Sequence, residues 1–151
     1  MFGCLEASGK NFVVIAPNND PGTDAIFKVI EALPNDRFRL IPSMRFNYFS
    51  ELMKHASAMI GNSSAGVREA PFLGLPSLDV GTRQNSRGIA DSITNAIALD
   101  IATIDYFLRH HWAKKSACSD GYGVGGAAHQ FVDVISKSHY WKVQTQKIFM
   151  D

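Results

Sequence analysis

Phe12-Val-Val-Ile-Ala16, closed by Pro17-Asn-Asn-Asp-Pro-Gly22 and followed by the segment from Thr23 to Leu33, decides the architecture. A short apolar, β-branched run ended by a Pro/Asn/Gly turn predicts a buried strand. In the next segment Ile26, Phe27, Val29, Ile30 and Leu33 recur at helical spacing, with Thr23 or Asp24 at the cap and Pro34-Asn35 past the end. The result is one β-α unit, and the pattern then repeats.

A second unit runs through Phe38 to Ile41 and a helix from about Phe46 to Ala56, with Phe49, Leu52 and Met53 on its inner face. The third consists of Ala58-Met-Ile60, the turn Gly61-Asn-Ser-Ser-Ala-Gly66, and a helix through Val67 to Leu73 ended by Gly74. A fourth strand, Pro76 to Val80, leads into Gly81-Thr-Arg-Gln-Asn-Ser-Arg-Gly88, and a fifth lies within Asp91 to Ala98 before a helix near Ile101 to His111. Strands alternating with helices at this spacing predict an α/β fold, a Rossmann-like parallel sheet flanked by helices. Beyond the polar, glycine-rich stretch from Lys114 to Gly126 a further helix is expected over Ala127 to Ser136. The expected division is a domain over residues 1–136 and a helical tail over 137–151. Tyr140, Trp141, Val143, Ile148 and Phe149 give that tail an apolar face, which calls for packing on the same or a partner domain.

Fifteen lysines and arginines against fourteen acids leave a net charge of +1, which supplies no basic field for nucleic acid or an anionic membrane. Cys4 and Cys118 are far apart and match no metal-ligand spacing, so two reduced thiols are expected and no metal. No apolar run approaches the roughly 20 residues of a membrane span, and the opening MFGCLEASGKN lacks the layout of a signal peptide. The expectation is a cytoplasmic protein that uses no cofactor.

In an open parallel sheet, ligands bind where the β-to-α turns gather at the carboxyl ends of the strands. Here those turns carry Asn18-Asn19-Asp20, Ser43-Met44-Arg45, Asn62-Ser63-Ser64, and Thr82-Arg83-Gln84 with Arg87. Ser63-Ser64-Ala65-Gly66 places small side chains, hydroxyls and backbone N–H groups at a helix start, an arrangement that cradles a diphosphate. Glu69 stands about one turn further on, where its oxygens suit the vicinal hydroxyls of a ribose, and Arg83 offers a guanidinium fork for phosphate. Blander readings stand beside these. Ser-Ser-Ala-Gly also serves as ordinary capping, Glu69 as a charge complementing a helix dipole, and Arg83 and Arg87 as a solvated loop. The five histidines stand in no recognisable catalytic spacing.

Read as a string, Ile60-Gly-Asn-Ser-Ser-Ala-Gly-Val-Arg-Glu-Ala-Pro71, with Gly74-Leu-Pro76 and Gly81-Thr-Arg-Gln84 and Arg87, resembles the hydrolysing UDP-N-acetylglucosamine 2-epimerases, in their sialic-acid-precursor branch. Pro17-Asn-Asn-Asp-Pro-Gly22, Ser43-Met-Arg-Phe46 and Tyr122-Gly-Val-Gly125 fall in the matching order, and the likeness covers roughly residues 8–135. The resemblance implies the C-terminal half of a GT-B-like two-domain enzyme, the half that grips UDP. Carried over by position, Ser63 and Ser64 hold the diphosphate and Glu69 the ribose. Met44 lies beside the uracil through its backbone, and Asn18 and Arg83 line the pocket. Arg87 and Asn62 are additional candidates.

For a complete enzyme the resemblance implies elimination of UDP to a 2-acetamidoglucal, then hydration to N-acetylmannosamine. The family's N-terminal acidic residues and histidine find no counterpart here, so no catalytic residue is assigned and the chain alone is expected to bind UDP or a UDP-N-acetylhexosamine without turnover. The N-terminal domain would act in cis or in trans, and a homo-oligomer remains open. The alternative is a nucleotide-sugar-binding subunit of a split GT-B glycosyltransferase.

Overall fold

The computed structural model describes residues 1–17, 22–88 and 90–142. Strand β1 (Phe12–Ile15) pairs in parallel with β2 (Phe38–Ile41), in the register Phe12 to Phe38. Strands β3 (Met59–Gly61), β4 (Ser77–Val80) and β5 (Ile93–Ala96) form a second parallel group with β4 at its centre. The single sheet expected from the sequence is thus two hydrogen-bonded groups, and they share one apolar core. Leu5, Phe38, Leu78, Val80, Ala96, Ile104, Phe107 and Leu108 are buried in it, with Phe12, Val14 and Ile60 packed against them.

Helices α1 (Phe2–Ala7) and α5 (Ile101–His110) supply Leu5, Ile104, Phe107 and Leu108 to that core, on the face of β4 to which Leu78 and Val80 point. Helix α3 (Phe46–His55) supplies Met53 to a second cluster with Ala65, Ala70 and Leu75, against which Met59 of β3 packs. Helices therefore flank the parallel strands, as the alternating pattern requires. Helix α2 (Thr23–Glu31) follows the first strand. The start of α5 is fixed by Asp100, whose carboxylate accepts from the Thr103 amide at 3.0 Å. That bond holds the Asp100 carboxyl below the usual carboxylate range.

One expected helix is broken. In place of a continuous helix over Val67 to Leu73, a 3₁₀ turn (Ser64–Gly66) is followed by the four-residue α4 (Glu69–Phe72). Pro71 is the reason: it has no N–H to give the Val67 carbonyl, and its ring would clash with that carbonyl in a helix running through.

The polar stretch after α5 is laced to the body through its backbone. The Ala113, Ser116 and Ser119 amides donate to the Ser57, Gly74 and Pro71 carbonyls at 2.9, 2.9 and 3.0 Å. Gly74 has φ +61°, and a Cβ there would collide with the Ser116 carbonyl oxygen. Gly74→Ala is therefore expected to lower stability by roughly 1–3 kcal/mol, from left-handed strain plus displacement of the strap. Urea denaturation checks it, and an unchanged midpoint would contradict this account of the turn.

Residues Met1–Gly121 form one compact unit and Tyr122–Asp151 another. In the second, α6 (Ala127–Ile135) is followed by a 3₁₀ turn (Tyr140–Lys142), and the Trp141 indole donates to the Ile135 carbonyl at 2.7 Å. Phe131, Val132, Val134 and Trp141 are exposed on it. Val143, Ile148 and Phe149, which suggested a helical tail, lie outside the described residues. Cys4 and Cys118 are free thiols. Among the described residues no helix is long and apolar enough to cross a membrane.

Candidate functional site

Because β3 and β4 are parallel neighbours, their carboxyl ends deliver two turns to the same edge: Asn62-Ser63-Ser64 after β3 and Gly81 to Gly88 after β4. A buried side chain ties them. Gln84, 3% exposed, donates from Nε2 to the Asn62 carbonyl at 2.8 Å. Thr82 to Arg87 is wound into two consecutive turns, the Asn85 amide on the Thr82 carbonyl at 3.2 Å and the Arg87 amide on the Gln84 carbonyl at 3.0 Å. Arg83 and Arg87 are exposed on this loop. Gln84→Ala leaves the Asn62 carbonyl without its donor and is expected to destabilise by about 1–3 kcal/mol. Thermal unfolding checks that value, and no loss would mean the tether is not formed.

The turn after β3 keeps some amides and commits others. Ala65 N–H donates to Ser63 Oγ at 3.4 Å, and Gly66 N–H to the Ser63 carbonyl at 3.0 Å. The Val67 and Arg68 amides both donate to the Ser64 carbonyl, at 3.1 and 3.0 Å. Among the described residues the Ser63 and Ser64 amides have no acceptor, Ser63 is exposed and Ser64 half-buried. The turn sits tight on the strands because residue 66 is glycine: a Cβ there would lie 2.8 Å from Ser77 Oγ. The turn thus offers two amides and two hydroxyls, without the dipole of a long helix expected from the sequence, since α4 has four residues.

Glu69 opens α4, half-buried, and its Oε2 is buried with no hydrogen-bond partner among the described residues. Met44, half-buried, follows β2 in the other strand group, and Asn18 lies outside the described residues. Sequence reasoning placed Gln84 in the loop without a role, and it missed Asp79, a carboxylate inside a fully buried strand. The only signal for Asp79 was a charge within the apolar run Pro76-Ser-Leu-Asp-Val80. Among the described residues no group of three His, Cys, Asp or Glu side chains could hold a metal ion.

Residues 1–136 match the protein family described as UDP-N-acetylglucosamine 2-epimerase. The chain belongs to that family. It is 42% identical over 160 aligned positions to the UDP-N-acetylglucosamine 2-epimerase of Neisseria meningitidis serogroup B, covering 99% of this chain and 41% of the relative. It is 32% identical over 88 residues to the hydrolysing UDP-N,N'-diacetylbacillosamine 2-epimerase of Legionella pneumophila, covering 58% of this chain and 23% of that protein. A similar enzyme of Campylobacter jejuni, a GDP/UDP-N,N'-diacetylbacillosamine 2-epimerase, is 43% identical over 49 residues, or 32% of this chain and 13% of its own. This epimerase-family chain thus spans about two fifths of the length of the Neisseria relative. Its Asn62 to Gly88 edge lies within the matched region.

Proposed function

We propose that this chain is the UDP-gripping half of a 2-epimerase acting on a UDP-N-acetylhexosamine, in the branch that makes sialic-acid precursors in the cytoplasm. One observation carries the reading: among the described residues the Ser63 and Ser64 amides are left without acceptors, on a turn that Gln84 pins to the Arg83 loop. Amides and a guanidinium on one edge suit a diphosphate, and the half-buried Glu69 at the start of α4 suits the ribose. When the anomeric C–O bond breaks, negative charge grows on the leaving diphosphate. Donors fixed beforehand stabilise that charge without reorganising. The proton at C2 needs a base, which this reading assigns to a partner domain in cis or in trans, so these 151 residues alone bind without turnover.

Calorimetry with a ligand series tests this. UDP is expected to bind saturably, UMP more weakly, and uridine least, because each step removes phosphate oxygens from the cradle. Equal affinity for uridine and UDP, or no heat with millimolar UDP, would overturn the reading.

A further inference from the structure

Asp79 is 2% exposed on the central strand, and neither of its carboxyl oxygens has a hydrogen-bond partner among the described residues. In the parallel register it stands beside Gly61, about 4.8 Å away at strand spacing, one residue before the Asn62-Ser63-Ser64 turn begins. Strand alternation puts its side chain on the face of Ser77, whose Oγ abuts Gly66 of that turn, and away from α5, where Leu78 and Val80 point. The carboxyl therefore sits directly behind the diphosphate turn.

Among the described residues, the elements around it offer no counter-charge. The elements packed most closely on β4 are β3, β5 and the 3₁₀ turn, and none carries a titratable or charged side chain. Arg68 and Glu69 follow the turn, Arg83 and Arg87 are exposed on the loop after β4, and Asp91 precedes β5. On α3, Glu51 pairs with Lys54 and His55 at the exposed surface, while Asp105, Arg109 and His110 belong to α5 on the opposite face. Burial pushes the Asp79 carboxyl above its ordinary range.

We propose that Asp79 acts on the diphosphate turn through its charge and works as a neutral acid, so that a bound diphosphate and a proton on Asp79 favour one another. The inference rests on the diphosphate reading above. An ionised Asp79 would place a negative charge behind the same turn whose amides face the ligand's negative charge, with little water between to screen the two. A neutral carboxyl removes that repulsion. Ligand binding then draws a proton onto Asp79, and affinity falls as pH rises through the range in which the free protein loses it, at most about tenfold per pH unit.

UDP-N-acetylglucosamine is the probe, because its diphosphate diester has no group that titrates between the carboxylate range and neutrality. Calorimetry of the 151-residue chain in two buffers of different ionisation enthalpy reads proton uptake directly. Uptake is expected in the window just above the ordinary aspartate range, and Asp79→Asn should abolish it and flatten the pH dependence, whereas Glu69→Gln should keep it. Binding without uptake in the wild type, unchanged uptake in Asp79→Asn, or its loss in Glu69→Gln would overturn the proposal and leave the diphosphate reading intact. Failure of the wild type to bind at any pH would sink both.

A ligand-free measurement stands beside it. With a folded-state pKa above the unfolded one, Asp79 supports the fold fully in acid, and that support is lost as pH rises through the folded value. Asp79→Asn should therefore need more urea than the wild type to unfold at neutral pH, with the gap closing in acid. A gap independent of pH would contradict a protonated Asp79.

Discussion

Phe107→Ala is expected to remove about 3–5 kcal/mol of stability, the largest loss among the single substitutions considered. Phe107 is 0% exposed and lies on α5 in the cluster that includes Leu78, Val80, Ile104 and Leu108. Its ring stacks on His111 at 5.8 Å between centroids, and its carbonyl accepts from the His111 and Trp112 amides at 2.9 and 3.2 Å. Those bonds end the helix against the core, so the backbone around a vacated ring has little freedom to collapse. The cavity cost therefore adds to the lost transfer energy. Urea denaturation reads the difference, with Leu99→Ala as a control: Leu99 is 85% exposed, and its loss should stay within about 0.5 kcal/mol. A Phe107→Ala loss under about 1 kcal/mol would mean that α5 does not close this core.

Glu69→Ala and Arg83→Ala should each weaken UDP binding about ten- to a hundredfold, since a hydrogen bond to a charged group contributes about 1.5–3 kcal/mol. The two effects should separate by ligand. The Glu69→Ala effect is expected to vanish with a uridine diphosphate lacking the ribose 2' and 3' hydroxyls, because the Glu69 carboxylate then has nothing to accept from. The Arg83→Ala effect should vanish with uridine, which carries no phosphate. If either substitution weakened every ligand alike, the residue would be shaping the loop rather than touching the group assigned to it. Reciprocal double-mutant analysis with Gln84→Ala is informative here, because Gln84 couples the Arg83 loop to Asn62 and additivity should fail across that tether.

Much of the fold was legible in the sequence because its signals are local. Apolar runs between Pro, Gly and Asn turns marked β1 to β4, β2 spanning Phe38–Ile41 as the run itself does, and β5 falls inside the broader Asp91 to Ala98 expectation. Helical spacing located α2, α3, α5 and α6 to within a few residues. The helix expected after β3 is interrupted by Pro71, a local signal that apolar spacing alone does not carry. Other features could not be read in that way. The strap from Ala113 to Ser119 is held by backbone amides, which every residue but proline carries, so its composition says only that it is polar. Gln84 and Asp79 look like surface residues until tertiary packing buries them. The candidate site divides along the same line. Ser63, Ser64, Glu69 and Arg83 stood out by motif, whereas the tether that fixes two turns relative to each other depends on the parallel pairing of β3 and β4.

Amide NMR during a UDP titration tests the central claim most directly. The account predicts saturable shifts at Ser63, Ser64 and the Thr82 to Arg87 loop, reaching Glu69, with the opposite strand ends near Asp36 and Arg37 unmoved. Shifts confined to those distant positions, or a spectrum unchanged at millimolar UDP, would contradict it.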